Sequence, residues 1–246
     1  MDDLFFQVHE SLPRQGPGDA ASTRRALTLL PDLSDDMRIL DLMCGPGAQT
    51  LDLARVTRGP ITAVDIHEPF LDLLDARLRV EGMENRVRLL NADPGALDLP
   101  PESFDLIWSE GAARRPGFAE ALGAWKRFLK PGGCLAATGL TWLAPDPPEE
   151  ARRFWGQAYP AMTGIEENLA TIRSLGGEPL GHFTLPESAW WDTYYTPLEM
   201  RLSAFAQRHR DDEKALASIQ SELAEIELYR KYPDAYGYVF YVARFG

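Results

Sequence analysis

Apolar residues along the chain form short runs that alternate with amphipathic stretches. In the first part of the chain the runs predict five strands, at 37–42, 61–64, 87–90, 104–108 and 134–140. The stretches around them carry apolar residues at helical spacing and predict helices over 19–30, 48–56, 68–81 and 118–129. Short apolar strands separated by such helices are typical of βαβ units. The pattern therefore predicts a parallel sheet with both faces covered.

Beyond residue 142 the pattern changes. A proline-rich break at 144–150 precedes the remaining predicted elements, which are helices near 150–158 and 165–175, a strand at 181–185, helices over 197–230 with a polar break at 209–212, and a strand at 236–244. The last two strands enclose roughly fifty residues, more than a connection in a minimal sheet domain needs. We interpret this helical insertion as a candidate lid or substrate-pocket wall.

Length and charge narrow the function classes. The chain has 246 residues, near the upper limit for one hydrophobic core, and 45% of them are apolar. Its 25 basic and 37 acidic residues give a net charge of −12. Because a protein that binds nucleic acid by charge needs a basic face, we expect no nucleic-acid partner.

Other features of the sequence bear on location and metals. No apolar run approaches the ~20 residues that span a bilayer, so we expect no membrane partner. The N-terminus has neither the basic region nor the apolar region of a secretory signal. The two cysteines, Cys44 and Cys134, form neither a disulfide framework nor a zinc motif. We therefore expect a cytoplasmic protein that needs no metal.

The end of the first predicted strand holds the clearest chemical signal. Asp41 lies near the end of this buried strand, and Gly45 and Gly47 follow in a tight turn into the next helix. Glycines let a ligand lie against the backbone, and a helix N-terminus offers free N–H groups. Open α/β sheets bind nucleotides at this edge, although an ordinary turn with two glycines has the same sequence pattern.

Acidic residues also follow the next two predicted strands. Asp65 can accept hydrogen bonds from ribose hydroxyls, and Asp93 can accept one from an adenine amine. Each acid by itself is typical of a helix cap or a solvated turn. Three successive strands that each end in a carboxylate are harder to explain as caps. Together they predict a site for the amino acid, ribose and base of one adenosine ligand.

Four segments follow one another in a specific order and spacing, namely LDLMCGPGAQTLDLA (40–54), ITAVDIHEPFLDLLDAR (61–77), NADPGALDLPPESFDLIWSEGA (91–112) and LKPGGCLAATG (129–139). Together they resemble the class I S-adenosylmethionine-dependent methyltransferases, of the small-molecule type with a ubiquinone-biosynthesis-like core. The resemblance implies an α/β, Rossmann-like fold with a seven-stranded, mostly parallel sheet, an antiparallel last strand and helices on both faces. It also implies one domain over 1–246, made of an arm and helix (1–35), a donor-binding core (36–142) and a substrate-side half (143–246) with its helical insertion at about 187–235.

The resemblance further implies the reaction and the residues of the donor site. The chain would transfer a methyl group from S-adenosylmethionine to a small-molecule acceptor by in-line displacement and release S-adenosylhomocysteine. Asp41 and the glycine turn would hold the methionine part, and Asp65 would hold the ribose. The remaining donor-site positions are Gly45, Gly47, Ile66 beside the adenine, Ala92 and Asp93 at the adenine edge, Ser109 facing the cleft, and Gln15 in an arm that covers the donor.

One position departs from the family pattern, and two alternatives stay open. Met43 stands where the family's loop has its first glycine. An NAD(P)-dependent oxidoreductase is disfavoured because Thr50 replaces the third glycine of a dinucleotide loop and because Asp41 would face a pyrophosphate. A non-catalytic protein that binds an adenosine ligand on the same fold is the other alternative.

On the acceptor side the sequence offers weaker signals. Glu110 is the candidate general base, although a loop carboxylate without a chemical role fits equally well. Aromatic residues either fill the core of the insertion or line an acceptor pocket, and we predict the pocket. The predicted pocket residues are Trp142, Trp190, Tyr194 and Tyr195. The 197–230 helices suit either a pocket cap or a homodimer face.

Overall fold

A computed structural model describes residues 3–10, 12–31, 34, 36–111 and 117–246. The strands within these residues are β1 (Ile39–Leu42), β2 (Ile61–Asp65), β3 (Val87–Asn91), β4 (Phe104–Ser109), β5 (Leu129–Trp142), β6 (Gly177–Thr184) and β7 (Tyr236–Phe245). The helices are α1 (Asp3–His9), α2 (Ala20–Leu27), α3 (Ala48–Val56), α4 (Glu68–Glu81), α5 (Phe118–Trp125), α6 (Glu149–Ala158), α7 (Ile165–Ser174), α8 (Ser188–Trp190), α9 (Thr196–Arg208) and α10 (Glu213–Lys231).

These strands form one sheet in the order β3-β2-β1-β4-β5-β7-β6. The first five strands pair in parallel, and β7 runs antiparallel to both β5 and β6. The predicted α/β fold, with a mostly parallel sheet and an antiparallel last strand, is confirmed. Because β1 lies inside the sheet, its carboxyl end is surrounded by those of its two neighbours.

Two apolar cores cover the two faces of the sheet. Ile39 of β1 packs in one core with Leu51 of α3 and Leu74 of α4. Its neighbour Leu40 points to the other face, where it packs in a core that includes Leu122 of α5. Burial on both faces explains why the strands appear in the sequence as continuous apolar runs.

Several element ends differ from the predicted ones. The helix predicted over 19–30 is the shorter α2, and its cap is Asp19, whose carboxylate accepts from the Ser22 backbone N–H at 2.6 Å. The helix predicted over 118–129 ends at Trp125, and a 3₁₀ turn leads into β5, which begins before the predicted 134. Pairing of Leu129 with Phe104 on β4 extends this strand. Such pairing depends on tertiary contacts, which local sequence does not reveal.

The predicted helical insertion between the last two strands is present. It consists of the single turn α8, a π-helical turn at Trp191–Tyr195, and the helices α9 and α10. The sequence pattern did not predict α1, which packs against α9. Arg201 of α9 donates to the carbonyls of Gln7 and Val8 at the end of α1. Within the described ranges, no helix is both long and apolar enough to cross a bilayer.

Candidate functional site

The central acid of the site is Asp41, fully buried near the end of β1. Thr50 donates a hydroxyl hydrogen bond of 2.6 Å to one carboxylate oxygen, and the Gln49 amide lies 3.5 Å from the other. Burial raises the pKa of Asp41 to about 7, against the lowering effect of the Thr50 hydrogen bond. Since both donors are neutral, a cationic ligand would supply the counter-charge that favours the ionised carboxylate.

The turn after β1 depends on left-handed backbone conformations. Gly47 has φ 85° and Met43 has φ 56°, so a methionine occupies a conformation that normally favours glycine. A β-carbon on Gly47 would lie only 2.1 Å from Cδ1 of Leu74 on α4. The bare backbone at Gly47 therefore accommodates helix packing, which the sequence did not reveal.

Gly45 and Asp65 join the ends of β1 and β2. The Gly45 backbone N–H donates to the Asp65 carboxylate at 2.8 Å, and the His67 backbone N–H donates to its other oxygen at 2.9 Å. Burial raises the pKa of Asp65. Each oxygen keeps a second lone pair that can accept from a ligand hydroxyl. Beside it, Ile66 is 52% exposed, which leaves an apolar surface next to the carboxylate.

The loop after β3 lies against the same edge of the sheet. The Ala92 N–H donates to the Asp65 carbonyl at 3.1 Å, and the Asn91 side chain donates to the Ile66 carbonyl at 2.9 Å. Asp93 is exposed and accepts from the Gly95 N–H at 2.8 Å, a local turn interaction. Its role toward an adenine amine stays a prediction.

Glu110, which follows β4, is held by three donors. Arg14 and Thr23 donate to its carboxylate at 2.8 and 2.9 Å, and the Trp108 indole donates at 2.9 Å. Arg14 also pairs with Asp52 of α3 at 3.3 Å. These contacts hold the Glu110 carboxylate in place, and its role as a general base stays a prediction.

The segment from Leu12 to Gly18, which we call the arm, lies over the glycine turn. A β-carbon on Gly45 would lie 3.0 Å from Cγ of Gln15, and the Gln15 amide donates to the His9 carbonyl at 3.0 Å. The predicted contact of Gln15 with the donor stays a prediction. Gln15 and Ser109 each carry a buried polar atom without a hydrogen-bond partner among the described residues, namely Oε1 of Gln15 and Oγ of Ser109.

Sequence reasoning missed several residues that shape this site. Neither Arg14 nor Thr23 is among the site residues predicted from the sequence. His67 also escaped notice, although it stacks on Phe6 of α1 with ring centroids 3.8 Å apart. The position of His67, two residues after the acid that ends β2, was the one available signal.

The four predicted pocket residues lie in different surroundings. Trp190 and Tyr195 are buried in the apolar core, where Trp190 stacks on Tyr229 with centroids 4.1 Å apart. For these two the packing alternative describes what the structure shows. Tyr194 is buried in the same core, and its hydroxyl lies 3.4 Å from Nε2 of His9, whereas Trp142 is half-buried at the end of β5. As walls of an acceptor pocket all four remain predictions.

The described site therefore combines buried carboxylates, a backbone turn and one exposed apolar side chain at the carboxyl edge of the sheet. This set suits a ligand with a cationic amino-acid end, hydroxyls and a flat apolar base. Among the described residues, no group of three or more histidine, cysteine or acidic side chains is placed to hold a metal ion.

Comparisons with known proteins point to the same kind of ligand. A family model described as a methyltransferase domain matches residues 39–133. The 27-O-demethylrifamycin SV methyltransferase of Amycolatopsis mediterranei is 29% identical over 233 residues, which cover 90% of this chain and 82% of that protein. The demethylmenaquinone methyltransferase of Thermus thermophilus is 31% identical over 173 residues, 67% of this chain and 75% of that protein.

Solved structures extend the likeness to the whole fold. An S-adenosylmethionine-dependent methyltransferase from Geobacter sulfurreducens, solved with S-adenosyl-L-homocysteine, superposes with a TM-score of 0.82. The sequence identity is 20%, and the match covers 99% of this chain and 98% of that one. At this identity the likeness shows a shared fold.

Proposed function

This chain belongs to the class I S-adenosylmethionine-dependent methyltransferases, and on that premise we propose which of its residues hold the methyl donor. The ammonium group would pair with Asp41, the ribose hydroxyls with Asp65, and the adenine would pack on Ile66. One observation carries this assignment: Asp41 is buried, and the hydrogen-bond donors described around it are all neutral. Ala92 and Asp93 would recognise the adenine edge.

The orphaned polar atoms at the site fit the same ligand. Ser109 Oγ and Gln15 Oε1 are buried acceptors that a bound amino-acid group would satisfy. When bound, S-adenosylmethionine supplies an activated methyl group on a sulfonium. The protein then has to orient the acceptor and exclude water. The arm would exclude water, since Arg14 fixes it to Glu110 and Gln15 lies over Gly45.

The chain transfers this methyl group to a small molecule, and we infer that the acceptor is planar or apolar. Two aromatic residues support this inference. Tyr194 lies in the substrate-side half (143–246), and the half-buried Trp142 lies at its edge. The names of two relatives, which act on a rifamycin and on demethylmenaquinone, agree with such an acceptor. The insertion at about 187–235 would cover it.

Further parts of the proposal concern partners and location. A net charge of −12 supports a function without nucleic acid, and we keep a membrane-independent role in the cytoplasm as a proposal. Two free, buried cysteines agree with a reducing compartment.

We propose that the protein forms a homodimer through α9 and α10. The apolar Met200 of α9 supports this interface, because it is 73% exposed in the single chain. Light scattering after gel filtration tests the oligomeric state.

A ligand comparison tests the donor assignment. Thermal shift and calorimetry should show that S-adenosylhomocysteine stabilises the protein whereas NAD and NADP do not, because a selective ligand stabilises the folded state by mass action. Selective stabilisation by NAD or NADP would overturn the proposal and restore the oxidoreductase alternative. Turnover of radiolabelled S-adenosylmethionine with a panel of small phenols and quinols would then identify the acceptor class.

A further inference from the structure

His9 and Tyr194 meet where the N-terminal region packs against the helical insertion. The Tyr194 hydroxyl lies 3.4 Å from Nε2 of His9, and both side chains are buried. His9 ends α1, whereas Tyr194 belongs to the π-helical turn Trp191–Tyr195. Single π-helical turns recur at functional sites, because they place a side chain where regular helix geometry would not.

This pair is connected to the donor turn through the arm. The carbonyl of His9 accepts a 3.0 Å hydrogen bond from the Gln15 amide. The Gln15 side chain in turn lies over Gly45, with its Cγ 3.0 Å from where a β-carbon of Gly45 would be. The Gln15 side chain therefore bridges the main chain of His9 and the turn that we assign to the donor.

A second set of contacts connects the pair to the end of β4. Thr193, the residue before Tyr194, donates its hydroxyl to the Gly18 carbonyl at 2.8 Å. A β-carbon on Gly18 would lie 2.8 Å from Oε2 of Glu110, so the two residues are in close contact. The main chain of His9 and the residue before Tyr194 thus connect the pair to the glycine turn through Gln15 and to Glu110 through Gly18.

Resting on the proposed function, we propose that Tyr194 and His9 form the proton-accepting pair of the methyl transfer, and that the acceptor bears an O–H or N–H group. As the acceptor atom bonds to the methyl carbon, the carbon–sulfur bond breaks and its electron pair stays on sulfur. The acceptor's proton passes to the Tyr194 oxygen, and the Tyr194 proton passes to Nε2 of His9. The imidazolium returns the proton to solvent when the product leaves.

A comparison with Glu110, the other candidate proton acceptor, favours this pair. A neutral imidazole with its proton on Nδ1 accepts at Nε2, and histidine is the side chain that most often acts as a general base. Glu110 is closer to the end of β4, but its carboxylate is held by Arg14, Thr23 and Trp108. It would have to give up a buried ion pair to take a proton.

The test uses the full-length protein saturated with S-adenosylhomocysteine and para-nitrophenol, whose phenolate absorbs visible light. Below the pH at which the free phenol ionises, binding to the wild-type protein should generate the phenolate signal. His9→Gln and Tyr194→Phe should each reduce that signal about tenfold or more, because the pair that takes the proton is broken. With a phenol that the enzyme methylates, kcat of both variants should fall about 100-fold while KM for the donor stays unchanged.

Matched controls are His209→Gln, which changes a histidine stacked on Phe205, and Tyr229→Phe, which removes a buried hydroxyl from the aromatic core. Both should retain the phenolate signal. An unchanged signal in Tyr194→Phe, or no phenolate with the wild type, would overturn the pair. Calorimetry with S-adenosylhomocysteine distinguishes failure of the pair from failure of the proposed function. If only the pair is wrong, the wild-type protein still binds S-adenosylhomocysteine; if the proposed function is wrong, it does not. If His9→Gln does not fold, Tyr194→Phe decides.

Discussion

The Thr50 hydroxyl donates a 2.6 Å hydrogen bond to the buried carboxylate of Asp41. Thr50 lies in the first turns of α3 and Asp41 near the end of β1, so this bond joins the two elements that flank the glycine turn. A hydroxyl donor stabilises the carboxylate without neutralising it. The positive charge that balances the ionised carboxylate would therefore come from the ligand.

Donor binding should depend on pH through Asp41. The pKa of this acid rises from its ordinary value of 3.8 to about 7 in the unliganded protein, whereas an ammonium ligand favours the ionised form. Affinity for S-adenosylhomocysteine should therefore fall about tenfold per pH unit below about 7. Calorimetry in buffers of different ionisation enthalpy should detect the released proton.

The same raised pKa should affect the stability of the unliganded protein. Because the folded state holds a proton that the unfolded chain releases, the free energy of unfolding should decrease as pH rises from about 4 to about 7. Asp41→Asn should flatten both this decrease and the pH dependence of binding. A full pH dependence of binding in Asp41→Asn would contradict the assignment.

Removing the Thr50 hydroxyl should weaken the donor site. Thr50→Val leaves the Asp41 carboxylate without its shortest hydrogen bond, so the pKa of Asp41 should rise further and affinity for S-adenosylhomocysteine at neutral pH should fall. Thr57→Val is the matched control, since that hydroxyl donates to the Leu53 carbonyl at the other end of α3. Equal affinities in the two variants, measured by calorimetry, would disprove the role of Thr50.

Gly47 should tolerate no side chain because of Leu74. A β-carbon there would lie 2.1 Å from Leu74 Cδ1, whereas Gly176 has nearly the same φ, 87°, and open space around it. Gly47→Ala should therefore lower the free energy of unfolding by about 1–3 kcal/mol more than Gly176→Ala does. Denaturant titration of both variants measures the difference, and equal losses would show that α4 moves aside.

Arg14 should hold the arm closed. Arg14→Gln leaves Glu110 buried without its cation, which should lower the free energy of unfolding by about 3–5 kcal/mol. Hydrogen exchange across 12–18 should become faster, and the slowing of this exchange by S-adenosylhomocysteine should diminish. Arg79→Gln, which breaks the exposed pair with Asp75, is the control and should change neither. Unaltered exchange in Arg14→Gln would show that other contacts fix the arm.

Much of the site follows from local sequence. The positions of Asp41, Asp65 and Ala92 at the ends of successive strands could be predicted, because parallel strands bring their carboxyl ends to one edge. The structure places them there, joined by hydrogen bonds from Gly45 and Ala92. Their contacts with the donor are what the pH and ligand experiments address.

Periodicity and chain order are sufficient to predict the alternation of strands and helices, the mostly parallel sheet and the acidic edge. Three contacts become visible only in the folded protein: Arg14 binds Glu110, Gly47 makes room for Leu74, and Tyr194 lies against His9. Each of these contacts joins residues far apart in the chain. No local pattern encodes which distant side chain will fill a given space, because packing is settled only when the whole core assembles.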